Sequence, residues 1–218
     1  MIGLVLAVAL AGAAWEALTL AGISGYARLQ LQNGLDAGAT AGAAVLADGI
    51  NAVAALNGVL LALGIPAMMG QGAAAAAARK IQALQDQTIR LTPALAQGEA
   101  CAAAMTSGAT VAFVPAHQGE KWPGLMLKRV YFLPELFGHA FPLWVSDNLR
   151  RTAGRRWGDR VIFLEGWTLA GRGALRAPLQ ATAGAAASCT GGGASSFPLL
   201  WPRYSSRLIP SGKKAAER

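Results

Sequence analysis

The chain has 218 residues, 54% of them hydrophobic and 14% charged, with a formal net charge of +8 and a mean hydropathy of +0.38. That balance is too apolar for an ordinary soluble protein, and the length holds one domain, or one domain and a long helix. The charge is uneven: residues 1–78 carry only Arg28, Glu16, Asp36 and Asp48, so an apolar N-terminal arm precedes a basic C-terminal part.

Residues 1–22, MIGLVLAVALAGAAWEALTLAG, contain one ionisable group, Glu16. About 20 apolar residues span a bilayer as a helix. No basic segment precedes the run, so it does not read as a secretory signal. It is either a start-of-chain anchor or the mature end of a chain that has lost a basic leader, and the positive-inside rule accommodates the second, because Arg28 follows the span. No proline falls between residues 1 and 63, and alanine and leucine dominate. One helix over 1–63, about 95 Å long at 1.5 Å per residue, is therefore expected. Gly64 and Pro66 supply its stop.

Within that helix, residues 31–57 hold no lysine or arginine, yet polar residues recur. At about 100° per residue, Tyr26, Asn33, Thr40 and Asn51 fall within about 20° of one line. Gly34, Gly38 and Gly42 form a second line at four-residue spacing. Small residues at that spacing let helix backbones approach closely, and polar side chains bond across the contact. Each glycine costs a helix interior about 1 kcal/mol relative to alanine, so close packing or assembly with another copy is expected to compensate.

The segments ARLQLQNGLDAGATAGA and GINAVAALNGVLLALG carry a resemblance. Arg28, Gln32, Asn33, Asp36, Ala37, Ala39 and Ala41, then Ile50, Asn51, Ala54 and Asn57, stand where TadE/TadG-like pilus-assembly proteins have R-x-x-x-Q-N-x-x-D-A-x-A-x-A-A followed by A-L-N-x-I-A-x-L-N. The tail, with Trp201, Arg207, Leu208, Ile209 and Pro210, is similar to the W-R-A-R-L-V-P ending of longer members. The resemblance implies a pilin-like, single-pass protein. It would lie in inner-membrane lipid before assembly, be handled by a secretion platform, and pack with copies of itself or other pilins in an extracellular filament. The assembly residues it points to are Glu16, Asn33, Gly34, Asp36, Gly38, Thr40, Gly42 and Asn51. One departure stands out: pilins carry a glutamate at the fifth mature position, and Val5 is there instead. Glu16 is the only candidate for that role. Arg28 of the same chain is about 18 Å further along the helix, which leaves another subunit's amine as the partner, or packing between helices.

Residues 67–106 read as a second helix, continuous or broken at Pro93, that packs back on the first. From residue 109 the pattern changes. ATVAFVPAH, LMLKRVYFLP and RVIFLEGWTLAG are rich in Val, Ile, Phe, Tyr and Trp and bounded by Gly and Pro, so they read as strands. APLQATAGAAAS is a fourth strand or a short helix. PELFGHAFPLWVSDNLRRTAGRRWGDR between them reads as a large loop with a helical turn. The expected class is α+β: a long N-terminal helix, a second helix packed on it, and a small antiparallel sheet over 107–218.

Cys101 and Cys189 lie 88 positions apart in no C-x-x-C motif; an exported domain would join them as one disulfide. Arg150, Arg151, Arg155, Arg156 and Arg160 cluster around Trp157. Such a cluster suits an anionic partner, but a charge run alone specifies none, and contacts between subunits are the simpler reading than nucleic acid. His117 and His139 have no metal-ligand spacing near them, GGGASS lacks the lysine of a phosphate loop, and no C-x-x-C-H is present. No catalytic residue, metal site or cofactor is expected. A structural pilin or pseudopilin is thus the leading expectation. An anchored envelope module is the alternative, and a DNA-uptake pseudopilin is a weaker third.

Overall fold

The computed structural model describes residues 2–113, 127–131, 142–146, 160–172, 175–189 and 204–209. Helix α1 runs over Ile2–Met68 and α2 over Gly72–Thr106. Six strands follow: β1 Val111–Phe113, β2 Leu127–Tyr131, β3 Pro142–Ser146, β4 Arg160–Arg172, β5 Leu175–Cys189 and β6 Tyr204–Ile209.

The alanine and leucine bias gives one unbroken helix of 67 residues, about 100 Å long. It does not stop at Gly64 and Pro66 as expected. Pro66 lies inside the helix; it forfeits one ladder bond there, yet the helix runs two residues further. The stop is Gly70, whose φ of +83° is available to glycine without strain. The Gly70 N–H donates to Ala67 O at 3.3 Å and the Gln71 N–H to Pro66 O at 3.2 Å, so the final carbonyls are satisfied in a Schellman arrangement. The chain then turns straight back into α2. Pro93 does not break α2 either. Its neighbour Thr92 is buried and its hydroxyl donates to Thr88 O at 2.7 Å. Packing against α1 on both sides of the proline outweighs one missing ladder bond. A second positive-φ residue, Gly108 at +127°, ends α2, with the Ala109 N–H donating to Ala104 O at 3.0 Å.

A four-stranded antiparallel sheet has the order β1-β4-β5-β6, and β2 and β3 form a separate antiparallel pair. The segment 177–188 is strand, not helix. Its alanines favour helix by propensity, but thirteen residue pairs with β4, from Arg160↔Ala187 to Arg172↔Leu175, override that preference. Pro142–Ser146, expected in a loop, pairs with β2 from Leu127↔Ser146 to Tyr131↔Pro142; apart from Arg160, which opens β4, the rest of that stretch lies outside the described residues. The tail forms an edge strand, with Tyr204 opposite Cys189 and Ile209 opposite Gly184.

Both helices cover one face of the four-stranded sheet. α1 crosses β4, β5 and β6, while α2 reaches β1 and β4. The core joins Leu31, Leu35, Leu46 and Ile50 of α1, Ala96, Ala100 and Ala104 of α2, and Ile162, Leu164, Ala183, Ala185 and Ala187 of the sheet. Alternate residues of β4 and β5 point inward, and small side chains on β5 and α2 let α1 lie close to both. A second cluster of Leu60, Ala78 and Leu143 closes the far end. Leu164 is fully buried, so Leu164→Ala should cost about 2–5 kcal/mol of unfolding free energy. Urea denaturation followed by circular dichroism measures it; an unchanged midpoint would show that β4 does not belong to the core.

Candidate functional site

α1 is divided by its environment. From Leu31 to Leu60 one face of it is buried in the body of the protein, whereas Gly3 to Thr19 are exposed on every side. Leu4, Val5, Leu6, Val8, Leu10, Trp15 and Leu18 are all more than 60% exposed. Gly3, Gly12, Gly22 and Gly25 have open space around them. Removing one Val or Leu side chain from water is worth about 1.5–3 kcal/mol, so this segment prefers an apolar medium by on the order of 10 kcal/mol or more. Glu16 is exposed near its C-terminal end, so the cost of a charge there is at most that at a span centre. A charged residue at a span centre costs about 2.5–3.5 kcal/mol on insertion scales, less than the apolar gain. The helix is long and apolar enough to cross a membrane and fits a membrane-anchored protein.

The glycine ridge lies elsewhere. Gly34, Gly38 and Gly42 are buried and face the seam between α2 and β4 of the same chain. A Cβ on Gly34 would sit 3.0 Å from Ala104 O and Ala109 N. One on Gly38 would meet Ala100 O, and would lie 2.6 Å from Ala104 Cβ and 2.9 Å from Leu164 Cδ1. One on Gly42 would lie 2.7 Å from Ala100 Cβ and Ile162 Cδ1. The ridge therefore brings this chain's own helices together, and it is not a face open to another copy. Gly49 continues it against Thr92. Gly49 is seven residues, about two helical turns, beyond Gly42, and that periodicity rather than the four-residue step is the signal that could have found it.

The polar motif residues serve the same body. Gln32 Nε2 donates to Asp36 Oδ1 at 2.9 Å and to Thr182 O on β5 at 3.4 Å, and Thr40 Oγ1 donates to Asp36 O at 2.8 Å. Gln32 thus ties α1 to the sheet, with Asp36 orienting it. Asn33 is exposed and Asn51 half-buried. Sequence reasoning missed Gln85, which is fully buried on α2 and donates from Nε2 to Asn57 Oδ1 at 2.9 Å and Val53 O at 3.4 Å. A polar bond inside an apolar helix pair fixes the register of α2 on α1. Gln85 sits in a polar stretch of sequence, IQALQDQ, that gave no hint of burial.

Two expectations receive no structural support or lie out of reach. Cys101 packs half-buried at the margin of the core, whereas Cys189 ends β5, a strand covered by α1; the Cys189 side chain, and with it the expected disulfide, lies outside the described residues. Of the arginine cluster, Arg160 opens β4, and Arg150, Arg151, Arg155 and Arg156 lie outside the described residues, as do His117 and His139. Among the described residues no group of His, Cys, Asp and Glu could hold a metal ion.

Comparisons of the chain with protein-family models, with curated proteins and with solved structures find no match. A functional reading therefore rests on the motif residues and on this geometry.

Proposed function

We propose that the chain is a structural, pilin-like subunit, inserted in the inner membrane by the first turns of α1 and assembled through that same segment into an extracellular filament. The observation that carries the reading is the division of α1. A bare apolar segment, Gly3–Thr19, continues without interruption into a half packed on α2 and the sheet. Such a segment can exchange lipid for neighbouring helices without changing shape, so its apolar surface stays covered before and after assembly. Glu16, the one ionisable group in it, would then meet polar groups of a neighbour. The resemblance of Gln32, Asn33 and Asp36 to the TadE/TadG-like pattern agrees with this, and so does the motif's role in docking α1 on the body.

A second reading, an anchored envelope module that never polymerises, is favoured by one fact: the glycine ridge is filled by the chain's own α2. The two readings part on what the bare segment touches. A photo-cross-linking residue at Leu18 in intact cells should give a ladder of cross-linked copies, and sheared surface filaments should contain the chain by mass spectrometry. Monomer alone in both measurements would leave the anchored module as the better reading.

A further inference from the structure

The inner face of β4 runs beside α1 in a fixed register. Ile162 meets the position of Gly42, Leu164 that of Gly38, and Gly166 lies against Leu35. The strand therefore descends toward the N-terminus of α1 as the chain advances. Gly171 is five residues beyond Gly166, about 17 Å at 3.3 Å per residue. That distance equals about eleven helical residues and brings the end of the β4–β5 hairpin level with about Ser24. Burial agrees. Ala170 is 3% exposed, and Leu20, Ile23, Ser24 and Ala27 are half-buried on one side of an otherwise exposed stretch of α1. The bare segment below this level is 17 residues long, Gly3–Thr19, about 26 Å, close to the hydrocarbon thickness of a bilayer. The end of the hairpin thus stands where the helix leaves the hydrocarbon.

Its chemistry suits that level. Arg176 is exposed and pairs with Gly171. Arg28 is exposed on α1, about 6 Å along the helix axis from Ser24. No acidic residue occurs between Glu16 and Asp36, nor from Gly166 to Ala183.

From this juxtaposition we infer that the paired ends of β4 and β5, at Gly171 and Arg176, dock on the anionic phospholipid headgroups around α1, a second membrane contact beside the helical anchor, with Arg28 and Arg176 as its basic groups. The inference rests on the reading that the first turns of α1 enter a bilayer, and its test separates the two. Full-length protein is reconstituted in phosphatidylcholine vesicles with or without phosphatidylglycerol. An environment-sensitive fluorescent amino acid is placed at Ala177, at Leu10, or at Gln87, an exposed position on α2 far from the hairpin. The expected result is a Leu10 probe quenched by lipid-borne quenchers in both vesicles, a Gln87 probe reading water in both, and an Ala177 probe reached by headgroup quenchers when the anionic lipid is present. Arg176→Glu should then lower the docked-to-undocked ratio about fivefold or more, the effect of one basic residue at an anionic surface. An Ala177 probe that reads water while Leu10 is immersed overturns the inference and leaves the anchor standing. A Leu10 probe that reads water overturns both. Shielding of Ala177 that scales with protein density in neutral lipid identifies a neighbouring copy and overturns the lipid contact.

Discussion

Gly38→Leu should unfold the body or strip α2 from α1, whereas the same replacement at Gly12 should leave the fold intact. The two glycines cost an isolated helix the same, about 0.8–1 kcal/mol relative to leucine or alanine, so propensity alone predicts a gain at both sites. Surroundings reverse the sign at one of them. A Cβ at Gly38 already meets Ala100 O, and Ala104 Cβ and Leu164 Cδ1 lie within 3 Å. The first of these is backbone, which cannot turn aside as a long side chain would. Overpacking costs typically 1–3 kcal/mol and occasionally more, and leucine adds three more heavy atoms beyond that first clash. A net loss of about 3 kcal/mol or more is expected, a large share of a domain's stability. At Gly12 there is nothing within 4 Å. Protease resistance and denaturant midpoints of the two variants in detergent measure the contrast. Equal stability would mean that α2 does not lie on the ridge. Gly38→Ala is the milder arm: it gains helix propensity and still loses overall, since its Cβ alone makes the clash.

The second large effect concerns the anchor. Leu10→Arg places a guanidinium near the centre of the bare segment, where insertion scales charge about 2.5–3.5 kcal/mol. That corresponds to a drop of roughly 100-fold in the ratio of inserted to non-inserted chain. Leu10 is 64% exposed and belongs to no core cluster, so the body should keep its denaturation midpoint. Carbonate extraction of membranes, together with circular dichroism of the same protein in detergent, gives both readings. Retention of the variant in the membrane pellet at wild-type level would show that something other than this segment holds the protein there.

Much of the helical part was legible because its signals are local. Alanine and leucine without proline give a long helix, and residues 1–22 announce an apolar span. The glycine line at 34, 38 and 42 marks a place of close approach in the sequence as in the fold. What sits in it could not be read, because an identical helix or the chain's own α2 would satisfy the same sterics. Pro66 misled, and Pro93 left a break open, for a related reason. The cost of a missing N–H is local, but the packing that outweighs it comes from residues tens of positions away. In the sheet, Val111–Phe113 and Arg160–Arg172 advertised themselves through β-branched and aromatic residues. The alanine run 181–187 did not, since its strand conformation is imposed by β4. Gln85 shows the limit most clearly: a buried glutamine on a polar-looking stretch becomes intelligible only once Asn57 is opposite it.

The uninterrupted course of α1 also makes the molecule a lever. No joint separates the part exposed on every side from the part that carries α2 and the sheet, and residues 31–68 extend about 57 Å beyond the level of Leu31. Spanning helices tilt by about 20° on average, and at that angle the far end of α1 swings sideways by about 20 Å. The direction in which the N-terminal turns lean would thus decide where the turn at Gly70 comes to stand.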